Sequence, residues 1–325
     1  MSAPDNSVIA FGPVPSRRLG QSLGINNIPP KSCSYSCVYC QVGITRQQEI
    51  ERREFYPPQH IFEAVRTRLN ALRSKQQQVD YLTFVPDGEP TLDLNLPETI
   101  ALLKTLALPI AVISNASLLW QKAVRDSLRA ADFVSIKIDS TDELIWRRIN
   151  RPHPDLRLAQ IFEGIRQFAK DYQGVLCTET MLVKGLNDTA DDALATAALI
   201  DQLQPAVAYL AIPTRPPAVE GTSPASEAAV IRAYEVFGDR GLKTELLITE
   251  RTGEFGFTGN LQVDILNTAA VHPLTEQAIH SLLAKAGASA MMLDELLKDG
   301  RLRQVAYEGR VYYVRNWSAS TASEA

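Results

Sequence analysis

The chain has 325 residues, of which 45% are hydrophobic and 22% charged, and its formal net charge is −4. This is ordinary globular composition with enough length for a full core, and it excludes attraction of nucleic acid or anionic lipid by overall charge. The first residues, MSAPDNSVIAFG, lack the basic and apolar regions of a secretory signal. No run approaches the about 18 apolar residues of a membrane span, so a cytoplasmic protein without membrane contact is expected.

In chain order, short β-branched runs alternate with amphipathic stretches, the pattern of repeated βα units around a parallel sheet. Strands are expected at 22–28, 81–85, 110–114, 133–138, 175–183, 207–212 and 243–248. Helical periodicity covers 60–75, with Ile61, Val65, Leu69 and Leu72 on one face. It returns at 191–203, with Leu194, Ala198 and Leu199 together and Thr189 or Asp188 as cap. Such units build either a partial or full (β/α) barrel or an open doubly wound sheet, and both place chemistry at strand C-termini. Beyond residue 250 the character changes. A Gly-rich, loop-like stretch at 251–260 leads through a short apolar segment to Pro273. Helices at 274–285 and 289–298 and a hairpin of 302–307 with 310–315, turning at Glu308-Gly309, then read as a small α+β module like a reduced winged helix. Its few basic residues are not dense, which favours a packing or docking role over DNA binding. The expected division is 1–250, 251–317 and a disordered tail at 318–325.

Of the four cysteines, three fall in Cys33-Ser-Tyr-Ser-Cys37-Val-Tyr-Cys40, directly after the first expected strand. A disulfide framework explains this poorly in so long a chain. Three thiolates on a 4Fe-4S cube leave one iron open to a chelating ligand. Structural zinc, the alternative, needs four closed ligands; the first histidine is His60, and Cys177 sits in a distant expected strand.

The CxxxCxxC loop, with Tyr39 before its last cysteine, resembles the radical S-adenosylmethionine (SAM) superfamily. The resemblance implies a (β/α) barrel whose open iron is chelated by SAM. Reductive cleavage of SAM then yields a 5′-deoxyadenosyl radical that abstracts hydrogen from substrate, with a reduced flavodoxin or ferredoxin as electron donor. Further strand ends match. Asp87-Gly88-Glu89-Pro90 resembles the family's Gly-Gly-Glu element, which implies Glu89 as ligand of the cofactor amine and Gly88 as a point of close approach; a solvated turn is the other reading. Ser114 and Asn115 resemble the Ser-Asn that faces the cofactor, although Asn115 also suits a left-handed turn. The strand at 133–138 resembles a Ser-Leu-Asp element but carries Lys137 where many relatives have serine. Alternation puts Ser135, Lys137 and Asp139 on one face, where Lys137 and Asp139 could pair. Ile212 is expected near the adenine, or simply in the core. Arg17, Arg18, Arg147, Arg148, Arg151, His153 and Arg215 read as binders of a substrate anion or as surface charge.

Pro-Ser-Arg17-Arg18-Leu-Gly, Asp87-Gly-Glu-Pro-Thr-Leu and Ile-Asn150-Arg-Pro-His153 look like the group related to tRNA wyosine synthases, over residues 8 to 250. Those synthases are expected to carry a second cysteine-ligated cluster, for which only Cys177 is left over here. The function read is therefore hydrogen abstraction from an unidentified substrate, RNA or protein ahead of small molecules. A non-catalytic iron-sulfur sensor that binds a partner through the C-terminal module is the alternative.

Overall fold

The computed structural model describes residues 9–248 and 255–316. The expected tail at 318–325 and residues 249–254, where the domain boundary was expected, lie outside the described residues. The order opens with β1 (Ala10–Ser16), β2 (Gly20–Ile25) and two short strands, β3 (Ser32–Cys33) and β4 (Gln47–Gln48). Then come α1 (Pro58–Ser74), β5 (Tyr81–Phe84), α2 (Leu96–Lys104), β6 (Ile110–Ser114), α3 (Lys122–Leu128), β7 (Phe133–Lys137), α4 (Glu143–Asn150) and α5 (Leu158–Asp171). The barrel continues with β8 (Val175–Met181), α6 (Ala190–Leu203), β9 (Val207–Ala211), α7 (Glu227–Asp239) and β10 (Thr244–Leu247).

One eight-stranded sheet runs β1-β2-β5-β6-β7-β8-β9-β10. Every neighbouring pair from β2 to β10 is parallel, and only β1 joins antiparallel. Because spatial order follows chain order, no strand reversal creates the switch point of a doubly wound sheet, and the alternatives left by periodicity resolve to a partial (β/α) barrel. Each of the seven expected strands is present. The outer face packs Ile25, Leu82, Phe84, Val112, Val134, Ile136 and Leu210 against helices. The inner face closes low down on Leu19, Ala111, Phe133, Cys177, Val207 and Tyr209.

Several expectations need correction. β1, absent from the expected strands, pairs with β2 as a β-hairpin; Pro13 and Pro15 are tolerated because β1 is an edge strand. On α6 the buried residues are Ala193, Thr196, Ala197, Leu199, Ile200 and Leu203, so of the expected face Leu199 is buried, whereas Leu194 is 45% exposed. Thr189 is the cap, in a reciprocal capping box with Asp192. The apolar segment before Pro273 is a helix, α8 (Leu261–Val271).

With β11 (Leu274–Thr275), α9 (Glu276–Ala286), α10 (Met291–Lys298), β12 (Leu302–Tyr307) and β13 (Arg310–Arg315), α8 completes a winged-helix order with its own buried core around Ile265, Leu274, Leu283 and Leu296. This module meets the barrel at β1. Arg68 of α1 donates to the Gly12 carbonyl and pairs with Asp264 of α8 at 2.9 Å, both deeply buried. Tyr307 and Tyr312 donate to the carbonyls of Pro213 and Thr214, just past β9. Among the described residues no helix is long and apolar enough to cross a membrane.

Candidate active site

Past β2 the chain enters the loop that carries Cys33, Cys37 and Cys40, pinned where β3 pairs with β4 and where Ser32 bridges to Gly88. A β-carbon at Gly88 would lie 1.8 Å from the Ser32 carbonyl oxygen, so only glycine lets these two backbones meet. The far side of the loop is laced to the end of α4. Val38 N–H donates to Ile149 O at 2.8 Å, Ser36 N–H to Asn150 O at 3.0 Å, and His153 N–H to Ser34 O at 2.9 Å. Trp146 Nε1 donates to the Tyr35 hydroxyl at 3.2 Å, edge to face with its ring. The segment Arg147–His153 therefore serves first as a backbone clamp on the cysteine loop, a role its charges did not signal.

Each sulfur has an N–H nearby. Asn115 Nδ2 and Tyr35 N approach Cys33 Sγ at 3.5 Å, Asn150 Nδ2 approaches Cys37 Sγ at 3.4 Å, and the Val42 N–H bonds Cys40. Burial pushes all three thiols up, Cys37 to about 12; Glu89 and the other two thiols add to it for Cys33, Cys40 and Asp139 for Cys37, and Asp87 for Cys40. Thiolates so crowded and desolvated are stable only with cations between them. Among the described residues no three Cys, His, Asp or Glu side chains converge on a position for one ion. A cube does not require it, since each thiolate takes a different iron. The donor set fits a 4Fe-4S cluster.

Glu89 forms one wall. Buried to 1% exposure, it accepts from Thr91 Oγ1 (2.6 Å), Thr91 N (3.1 Å), Ser114 Oγ (2.8 Å) and Asn115 N (2.7 Å). Burial raises its pKa and these bonds oppose the rise. Its carboxylate thus locks the ends of β5 and β6 together, with Asn115 beside Cys33. Asn115 continues to Ser34 Oγ at 2.9 Å, and the left-handed residue is Ala116 instead. Next to Glu89, Asp87 is buried with Lys31 Nζ 3.2 Å away but without a hydrogen bond to either oxygen. Burial lifts Asp87 to about 6 despite Lys31. Neither Lys31 nor Asn150 was foreseen as part of the site. Lys31 is a buried cation in left-handed backbone, which no local pattern announces.

On the opposite wall Asp139 accepts from the Tyr39 hydroxyl, from Asn150 Nδ2 at 2.7 Å and from Met181 N at 2.9 Å. The Lys137–Asp139 pairing that strand alternation allowed is not formed. Lys137 Nζ donates to Glu179 Oε1 at 2.8 Å and lies 4.8 Å from the Tyr39 ring centre, because β7 and β8 place residues 137 and 179 side by side. Arg18 reaches up from the β1–β2 turn to the other Glu179 oxygen and to Ser135 Oγ. Burial works against the Glu179 charge, yet Lys137 and Arg18 hold it well below the usual carboxylate range. For Lys137 burial is likewise outweighed, by Glu179 and Asp139, and its pKa rises. Ile212 is partly buried against the main core, and Cys177 sits two residues below Glu179 on β8, remote from the other thiols. Arg215 is drawn to the module, donating to Gln41 Oε1 at 2.7 Å and to His272 Nε2 at 2.6 Å. Burial and this guanidinium keep His272 neutral, well below the usual histidine range.

Comparison with known proteins agrees with this geometry. Residues 27–199 match the Radical SAM superfamily. A UPF0026 protein of Methanocaldococcus jannaschii is 45% identical over 310 residues, covering 95% of this chain and 96% of that protein. A UPF0026 protein of Helicobacter pylori is 35% identical over 66% of this chain and 69% of its own length. The crystal structure of a radical SAM methyltransferase from Sphaerobacter thermophilus superposes with a TM-score of 0.50 at 14% identity, over 71% of this chain and 67% of that one, a likeness of fold.

Proposed function

The chain belongs to the radical SAM superfamily, and from that premise we propose that it cleaves SAM reductively at a cluster held by Cys33, Cys37 and Cys40 and abstracts hydrogen from a substrate in the barrel. Membership implies both cofactors, a 4Fe-4S cluster and SAM. When bound, they supply an electron and a 5′-deoxyadenosyl radical, the hard chemistry that side chains cannot provide.

The observation that carries the reading is the convergence at one barrel mouth of three half-buried thiols, each beside an N–H donor, with the Glu89-Ser114-Asn115 wall. The chain's own residues hold and orient. Asn115 and Asn150 stabilise negative charge on Cys33 and Cys37; Glu89 sets the ends of β5 and β6; Gly88 opens the approach. Asp87 and Glu89 give the mouth carboxylates suited to the methionyl ammonium, with Ser114 and Asn115 beside them for polar contact. Lower down, Arg18 and Lys137 face the carboxylate of Glu179, which supports a substrate bearing negative charge. The appended module supports a macromolecular one, RNA or protein.

Anaerobic reconstitution with iron and sulfide, reduction, and addition of SAM tests the proposal by chromatography of 5′-deoxyadenosine. Formation that disappears in the Cys33→Ala, Cys37→Ala, Cys40→Ala variant is expected. An intact cluster that neither binds nor cleaves SAM would contradict it and favour an iron-sulfur sensor.

A further inference from the structure

Val38, between Cys37 and Tyr39, lines a surface pocket of about 550 Å³ whose walls are the end of α4, the loop after β8 and residues 220–222. Its rim carries Arg147, Arg148, Arg151 and Lys184 against Glu220. Arg147 is tied to Glu143 on its own helix at 2.7 Å. Arg148, Arg151 and Lys184 are exposed and have no ion-pair partner among the described residues. In a chain of net charge −4 this is a local reversal of sign, the kind of field that steers an acidic partner.

The pocket is bound rigidly to the cysteine loop. Val38 N–H donates to Ile149 O at 2.8 Å, and Val38 O accepts from Val219 N–H at 3.0 Å. Arg151, in left-handed backbone, is fixed through its carbonyl by Gln48 Nε2 at 2.7 Å and Ser36 N at 3.2 Å. The side of the loop it touches decides what could bind. Tyr39, Ile149 and Val183 form a buried cluster with Val38, and the cofactor candidates Asp139 and Lys137 lie on the Tyr39 side of that cluster. A group seated in the pocket therefore has packed side chains between itself and the mouth. That barrier stops a substrate hydrogen from meeting the cofactor, whereas an electron can cross it, and Val38 is covalently next to the ligand Cys37.

We infer that this basic pocket is the docking site for an acidic one-electron donor protein of the flavodoxin or ferredoxin class, a reading that rests on the function proposed above. The step is a bare electron transfer. The donor is oxidised by one electron, the oxidised cube is reduced by one, and no proton or group moves.

The test uses the full, cluster-loaded chain, and its first readout is the Kd for a flavodoxin and for a ferredoxin, measured by titration without turnover. The Arg148→Glu, Lys184→Glu double variant is expected to weaken binding about tenfold or more at low salt, with the difference shrinking as ionic strength rises. Its deoxyadenosine rate driven by reduced flavodoxin should fall relative to its rate driven by dithionite. Lys243→Glu, just before β10 at the other end of the barrel, should change neither.

An unchanged Kd in the double variant overturns the inference. So does an equal loss in Lys243→Glu, or failure of the unmodified chain to bind either donor. A double variant that loses binding of a short single-stranded RNA but keeps both donors also overturns it, and reassigns the pocket to RNA. Absence of dithionite-driven cleavage in the unmodified chain would instead contradict the proposed function, while the Kd comparison still judges the docking site.

Discussion

Among the places where the described residues bury charge, two treat it differently. Where α1, β1 and α8 meet, Arg68 and Asp264 pair at 2.9 Å, and the remaining groups are used: Arg68 also donates to Gly12 O, and Asp264 accepts from Thr258 N and Oγ1. At the barrel mouth three thiols, Asp87 and Glu89 are desolvated together, and all have raised pKa values. Charge that is matched by its own fold marks a structural joint. At the mouth Asp87 has Lys31 3.2 Å away and Glu89 accepts four hydrogen bonds, yet burial outweighs these partners, the arrangement expected where positive charge is to be received.

The largest effect that would sharpen this contrast is at the joint. Arg68→Ala leaves Asp264 buried and unpaired, and should cost about 3–5 kcal/mol of stability in denaturant unfolding. At the mouth, Gly88→Ala forces the Ser32 carbonyl aside, an overpacking cost of about 1–3 kcal/mol. It should also lower the iron content after reconstitution, because Ser32 immediately precedes Cys33. Asp87→Asn carries the opposite sign. Its folded pKa of about 6 lies above the ordinary 3.8, so the ionised form at neutral pH opposes folding. Removing the charge should therefore stabilise the cluster-free chain by about 1–3 kcal/mol at pH 7, a gain that disappears as pH falls below the ordinary carboxylate range. A loss of stability in that variant would show that the mouth is matched like the joint, and the contrast would fail.

The effect that is smallest at neutral pH is the pH response of the thiols. With Cys37 raised from 9.0 to about 12, the cluster-free chain keeps this contribution below pH 9 and loses it as pH climbs toward 12. Loading iron converts thiols to thiolates and releases protons, so cluster assembly should weaken as pH falls. Iron retention that is flat with pH would argue against thiolate ligation.

Strands and helices were legible in the sequence because the sheet is parallel and buried on its helix-covered face, so apolar runs such as Ile110–Ser114 and Val207–Ala211 stand out. β1 was hidden because its prolines mimic a loop. α8 was hidden because it is apolar on most sides, Ile265, Leu266, Ala269 and Ala270 all being buried, so it lacks a polar face to give it a period. The cysteine spacing announced itself, and the strand-end residues Glu89, Ser114 and Asn115 do meet. Pairings across strands did not announce themselves. Whether Lys137 takes Asp139 or Glu179 depends on the register of β7 against β8, a non-local quantity. The clamp by Ile149, Asn150 and His153 uses mainly backbone groups, which no side-chain motif encodes.

The central claim is that the mouth presents three thiolates and leaves one iron for SAM. Electron–nuclear coupling measured on the reduced, reconstituted chain, with SAM labelled with heavy nitrogen at its amino group, tests it most directly. The account predicts a coupling from the labelled nitrogen that is present with the intact cysteines and absent when Cys33, Cys37 and Cys40 are replaced by alanine. An intact reduced cluster that shows no coupling with SAM in excess would contradict it.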